Sequence, residues 1–117
     1  MADFFRITLL QTVNVIELAL PQSLDVVEFD RLNESMKTLL NGKAAGQWVI
    51  DFTSVSYIGS AMLGLIVNIR QQVKTAGGKL VLCGMSPRLA EIFRMCSMER
   101  LFTITKTRAD AIKTLSR

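Results

Sequence analysis

A chain of 117 residues, half of them hydrophobic and 21% charged, has the size and composition of one packed domain rather than of a disordered segment. It contains no histidine, which removes His-ligated metal sites, serine–histidine catalysis and the commonest proton shuttle near neutral pH. The formal charge of +4 arises wholly between Arg88 and Arg117, where seven basic residues stand against three acidic ones.

Phe4–Leu10 alternates loosely and Val13–Leu20 is an apolar, β-branched series, so the two read as a hairpin closed at Gln11-Thr12. Pro21 ends the second strand because it cannot donate to a ladder. A helix follows, capped by Ser23 or Asp25, with Val26, Phe29, Leu32, Met36, Leu39 and Leu40 at three- and four-residue intervals and Gly42 as its stop. Gln47–Phe52 is a short apolar run expected to be a buried strand. The second helix is expected over about Ala61–Thr75. Met62, Ile66, Ile69, Val73 and Ala76 form its apolar stripe, Asn68, Arg70, Gln71, Gln72 and Lys74 its wet face, and Gly77-Gly78 its end.

Lys79–Cys83 reads as the next strand, turned by Gly84. Ser86 caps a third helix whose first position is Pro87, where a missing N–H costs nothing. Leu101–Ile104 reads as a last strand and Arg108–Leu115 as a closing helix. Strands that alternate with helices imply parallel pairs joined by right-handed crossovers, so one α/β domain over 1–117 is expected.

No apolar stretch approaches the ~20 residues a membrane span needs. Met1–Arg6 does not lead into a signal-peptide core, so no membrane insertion and a cytoplasmic location are expected. Cys83 lies inside Leu80-Val81-Leu82-Cys83, where a thiol serves as a small hydrophobe. Neither it nor Cys96 has companions at metal-ligand spacing. The basic residues of the C-terminal region are spread singly, without the aromatic interleaving of a single-strand binder. A solvated face is expected there rather than direct contact with nucleic acid.

The most informative stretch is Val49-Ile50-Asp51-Phe52-Thr53-Ser54-Val55-Ser56-Tyr57-Ile58-Gly59-Ser60. It takes a buried strand through a loop to Ser60 at the start of a helix, in the crevice outside the strand C-termini where open α/β sheets place their sites. Two readings of Ser60 stand on local sequence. It is an ordinary capping serine, the commoner use of the residue there, or a hydroxyl whose phosphate would meet free backbone N–H groups and the positive end of the helix dipole.

Ile50-Asp51-Phe52-Thr53, Val55-Ser56-Tyr57-Ile58, Gly59-Ser60-Ala61-Met62-Leu63-Gly64, Ala76-Gly77-Gly78-Lys79-Leu80 and Met98-Glu99-Arg100-Leu101-Phe102 stand in that order and spacing. In this the chain resembles the STAS domain of the bacterial anti-sigma-factor antagonists over nearly its whole length. The resemblance implies a mixed, mostly parallel sheet with its first strand antiparallel and helices packed on one side. It also implies a binding protein, not an enzyme, with no cofactor. Such a protein docks on an anti-sigma factor that is a serine kinase and so regulates transcription. The kinase ends docking by phosphorylating the serine that opens the second helix, and a serine phosphatase restores it.

Carried over by position, the phosphorylated residue is Ser60, and partner contact is expected around Asp25, Asp51, Gly59, Ser60, Met62 and Leu63, in a monomer or weak dimer. On the residues alone, Asp51 reads equally as a cap of the loop after its strand, and Asp25 as the helix cap beside it. The sequence departs from the family at the site itself, where Gly59 replaces an aspartate and Met62 a glycine. Met62 either anchors a different partner or fills core, and its place on the apolar stripe favours the core. The alternative function is a STAS adaptor subunit of a signalling or lipid- or anion-transport complex, without the phosphorylation switch. A third reading is an enzyme or nucleotide-binding module; against it stand the absence of a Gly-x-x-x-x-Gly-Lys-Ser/Thr loop, of a Gly-x-Gly-x-x-Gly loop and of an evident nucleophile–base pair.

Overall fold

A computed structural model describes residues 4–10, 12–21 and 24–116 of the chain. Its elements are β1 (Phe5–Leu10), β2 (Val13–Leu18), α1 (Val26–Leu40), β3 (Gln47–Asp51), α2 (Ser60–Thr75), β4 (Lys79–Cys83), α3 (Pro87–Met95), β5 (Thr103–Thr105) and α4 (Arg108–Leu115). A short 3-10 turn, Met98–Arg100, precedes β5. The five strands lie side by side in chain order. β1 is antiparallel to β2, with Ile7 opposite Ile16, and β2 to β5 are parallel. The expected mixed, mostly parallel sheet with an antiparallel first strand is therefore present.

The register explains why the central strands read as nearly continuous apolar runs. Ile16, Ile50 and Leu82 form one row across the sheet, and Val15, Val49 and Val81 form the next, pointing to the opposite face. The first row joins Leu32, Met36, Leu40, Leu65, Ile66, Ile69, Leu89 and Phe93 of α1, α2 and α3 in the main core. The second row, with Val13 and Cys83, is covered by Ala111 and Leu115 of α4. Helices on one side thus describes the three crossover helices. α4 is the exception and packs on the other face. The physical reason is connectivity: α1, α2 and α3 each join parallel neighbours and must share a hand, whereas α4 joins no second strand among the described residues and covers the second apolar row.

Several element ends differ from the sequence reading by a turn or less. Parallel pairing of β2 stops at Glu17–Asp51, although the Ala19 N–H still donates to Phe4 O at 2.8 Å. Leu101 belongs to the 3-10 turn, its N–H donating to Met98 O at 3.0 Å, and Phe102 is drawn into the core, so β5 starts only at Thr103. In α1 the apolar stripe is buried at Leu32, Met36 and Leu40, while Val26 lies out in solvent. Ala76, placed on the α2 stripe from sequence, is exposed at the helix C-cap. Gly77 then takes a left-handed φ of 86°, and the Gly78 and Gly77 amides donate to Val73 O and Lys74 O at 2.8 and 3.0 Å. Gln11 of the expected hairpin turn and Ser23, one of two proposed caps for α1, lie outside the described residues.

The two cysteines are free; Cys83 is buried and Cys96 exposed. Burial, reinforced by the nearby Asp51 charge, pushes the Cys83 thiol up to about 12, so it stays protonated and behaves as the small hydrophobe its sequence context indicates. No helix among the described residues is long and apolar enough to cross a membrane.

Candidate functional site

Parallel strands deliver every following helix at the same end of the sheet, so the N-termini of α1, α2, α3 and α4 share one rim. The loop from β3 to α2 is the longest feature on it. Its first residues are fixed: the Phe52 N–H donates to Cys83 O at 2.9 Å and the Val55 N–H to Phe52 O at 2.8 Å. Val55 and Ile58 sink into the core at 3% exposure each, which leaves Thr53, Ser54, Ser56 and Tyr57 outside. Tyr57 is 41% exposed, and the guanidinium of Arg88, in the first turn of α3, lies 5.6 Å from its ring centroid.

Gly59 is the N-cap of α2, in extended conformation, and Ser60 is the first helical residue. Ser60 is therefore not the capping serine that one local reading allowed. Its side chain is exposed, and Gly59 has no side chain with which to cap. The first intrahelical bond runs from the Leu63 N–H to Gly59 O, at 3.1 Å. The earlier amides of the turn have no acceptor within the helix, and no acidic side chain sits in that turn to oppose an incoming anion.

Asp25 opens α1 with a full capping box: its Oδ1 accepts the Glu28 N–H at 2.7 Å, and Glu28 Oε1 accepts the Asp25 N–H at 3.1 Å. Beside it Val26 and Val27 are 74% and 65% exposed, more than a core-forming pair would be. Met62 is buried and packs in the main core, and Leu63 is half-buried against the same core. Asp25, Gly59 and Ser60 thus lie on the rim surface, while Asp51 and Met62 lie beneath it.

Asp51 is the one buried charged residue among those described. It ends β3 on the α4 face, and its two oxygens point opposite ways. Oδ1 accepts both the Thr53 N–H and the Thr53 hydroxyl, at 2.9 and 2.5 Å. Oδ2 accepts from Arg108 Nε and Nη2, at 3.1 and 2.8 Å. Arg108 Nη2 also lies 3.0 Å from Glu17 Oε1, and Arg6 approaches the other Glu17 oxygen at 3.2 Å. Burial pushes the Asp51 carboxyl up, but the Thr53 and Arg108 hydrogen bonds and the Arg108 charge outweigh it and hold the group below its ordinary value. Glu17 is lowered for the same kind of reason: desolvation is outweighed by Arg6 and Arg108.

Two expectations arise from this cluster. An aspartate depressed when folded stabilises fully above its unfolded pKa, about 3.9, and that contribution is lost as pH falls through the lower folded value. Asp51→Asn should therefore flatten the loss of stability below about pH 4, read from urea unfolding at pH 7 and pH 3. An acid limb as steep as in the wild type would show that Asp51 contributes nothing to it.

Gly84 has φ of 76°, and a Cβ built there would come within 2.5 Å of Thr53 Oγ1 and 2.6 Å of Asp51 Oδ1. Gly84→Ala should cost about 2–4 kcal/mol, from left-handed strain and displaced hydrogen bonds together. The urea midpoint measures it, and a loss below about 0.5 kcal/mol, the range of ordinary surface substitutions, would show that the site yields.

Arg108 was not singled out in the sequence. It read as one more basic residue of a solvated helix, and its partner Asp51 lies 57 positions away. The Arg88–Tyr57 stack and the exposed Val26-Val27 pair were also invisible there. For the valines the available signal was a second apolar residue beside the helix stripe.

This is a mixed α/β sheet domain whose helix N-termini share one rim, with Asp25, Gly59 and Ser60 on its surface. The STAS domain family model matches residues 6–111, and the chain belongs to that family. It is 32% identical over 63 residues to BtrV of Bordetella bronchiseptica, provisionally named an anti-sigma factor antagonist. The match is 54% of each chain, so it spans about half the length of that relative. Among solved structures, a STAS domain protein from Planctomyces limnophilus has a TM-score of 0.85 at 23% identity, covering 97% of this chain and 98% of the other. The phosphorylated form of SpoIIAA, a Bacillus cell fate determinant, has a TM-score of 0.68 at 19% identity, covering 94% and 97%.

Proposed function

We propose that the chain, 1–117, is one regulatory STAS domain that acts as an anti-sigma factor antagonist, docking through its helix-N-terminal rim on a serine-kinase anti-sigma factor. Phosphorylation of Ser60 ends docking, and a serine phosphatase restores it. The observation that carries this reading is the position of Ser60: exposed, first in α2, with unopposed backbone donors around it. Exposed Val26, Val27 and Tyr57 lie on the same rim and supply apolar area for a partner. BtrV and SpoIIAA are both named as anti-sigma factor antagonists, and SpoIIAA is known in a phosphorylated form, which supports the same class of role.

The two departures from the family bear on this unequally. Met62 is turned into the core and adds no bulk to the rim. Gly59 removes a carboxylate that would repel an incoming phosphate, and leaves the helix start without a side-chain cap. In this reading the protein has no catalytic role, works in the cytoplasm and is a monomer or weak dimer.

The test is to incubate the chain with the anti-sigma kinase of the same organism and ATP, then map the modified residue by mass spectrometry. Label on Ser60, absent in Ser60→Ala, is the expected result. An unlabelled chain that forms a stable complex with a non-kinase protein would replace this reading with that of an adaptor subunit.

A further inference from the structure

Three loops meet at Asp51. The loop after β3 is held by the Thr53 bonds to Oδ1. The turn after β4 packs Gly84 against the same atoms, and the Gly84 N–H donates to Lys106 O at 3.1 Å in the connection from β5 to α4. The third is the start of α4, where Arg108 grips Oδ2. The Asp51 side chain is 7% exposed, so its charge is stable in that position only while Arg108 answers it. Arg108 is itself oriented from a second side by Glu17, and that orientation favours Nε and Nη2 on one oxygen.

We infer that Arg108 is a positioning residue for the Ser60 loop: by holding Asp51 in place it fixes Thr53 and with it the path from Phe52 to Ser60 that a docking protein or kinase reads. Loss of Arg108 leaves a buried carboxylate without a counter-charge, and the least costly relief is rotation of Asp51 toward water, which releases Thr53. The loop then keeps only its apolar anchors, Val55 and Ile58, and Ser60 is presented in many arrangements instead of one. Part of the geometry around Ser60 is thus set from the α4 end of the same rim, through Asp51.

The role in docking rests on the function proposed above, while the mechanical part does not, and the experiment separates them. Amide hydrogen exchange of the full chain is compared for the wild type, Arg108→Gln and Arg108→Lys. Arg108→Gln should speed exchange of the Thr53 and Val55 amides about tenfold more, equivalent to about 1.4 kcal/mol, than that of the Val49 and Val81 amides in the central strands, which report the overall loss of stability. Arg108→Lys keeps a charge but loses the fork, and should fall between the two. With the kinase, Arg108→Gln should raise KM for the chain several-fold and leave kcat near the wild-type value, because the hydroxyl itself is intact.

Uniform acceleration in loop and strands, or none in either, would overturn the inference. Should Arg108→Gln not fold, Arg108→Lys and Thr53→Val make the same comparison, Thr53→Val removing only the hydroxyl bond to Oδ1. Faster loop exchange in a chain that no kinase labels would sink the proposed switch and leave Arg108 as the residue that positions this loop.

Discussion

Ser60→Asp should bind the anti-sigma partner at least about a hundredfold more weakly than the wild type, with an unchanged circular dichroism spectrum. A tenfold loss corresponds to about 1.4 kcal/mol, and a fixed charge pressed into an interface without a matching cation costs several. The phosphate carries about −1.5 to −2 charges against −1 for the aspartate, so genuine phosphorylation should weaken binding further. Ser60→Ala removes only an exposed hydroxyl and should bind within a few-fold of the wild type, while becoming insensitive to kinase and ATP. Titration calorimetry of the three proteins against the purified partner decides it. Equal affinity of wild type and Ser60→Asp would remove Ser60 from the interface.

Phe93→Ala should be the most damaging single change to the fold, costing about 3–5 kcal/mol. Phe93 is fully buried on α3 and meets Phe52 edge-on, with ring centroids 5.9 Å apart at 72°. On its other side Phe102 lies at 6.1 Å and 70°. Those contacts tie α3 both to the end of β3, where the Ser60 loop begins, and to the residue ahead of β5. Marginal domains hold only about 5–15 kcal/mol in total, so the variant would retain little stability. Chemical denaturation gives the figure, and Phe93→Leu, which refills most of the volume, should recover a large part of it. A loss under about 1 kcal/mol for Phe93→Ala would mean that the neighbouring rings collapse into the space.

The sheet and its helices were legible in the sequence because each element carries its own local signal. Ser86 followed by Pro87 starts α3, Gly77-Gly78 ends α2, and β4 and α4 occupy the ranges their patterns indicate. The face on which α4 packs was not legible. The alternation of Val13, Val15, Val49 and Val81 against Ile16, Ile50 and Leu82 exists only once the register between strands is known. The candidate site divides in the same way. Ser60 at a helix start is a local feature and could be read. The burial of Met62 was legible too, from its place on the apolar stripe, whereas the bond between Asp51 and Arg108 is a matter of tertiary geometry. The loose end of the C-terminal strand was misjudged because Leu101 and Phe102 are apolar for different reasons, one within a turn and one in the core.

Under the proposed switch, the uncapped start of α2 bears on how long each form of the protein would last. A phosphate on Ser60 would occupy donors that otherwise only water serves, and would do at that helix what a capping residue does at the others. The silenced form would then be the more durable one, slower to fray and slower to be degraded. A pool kept in that form could outlast the signal that made it, waiting for a phosphatase rather than for new synthesis.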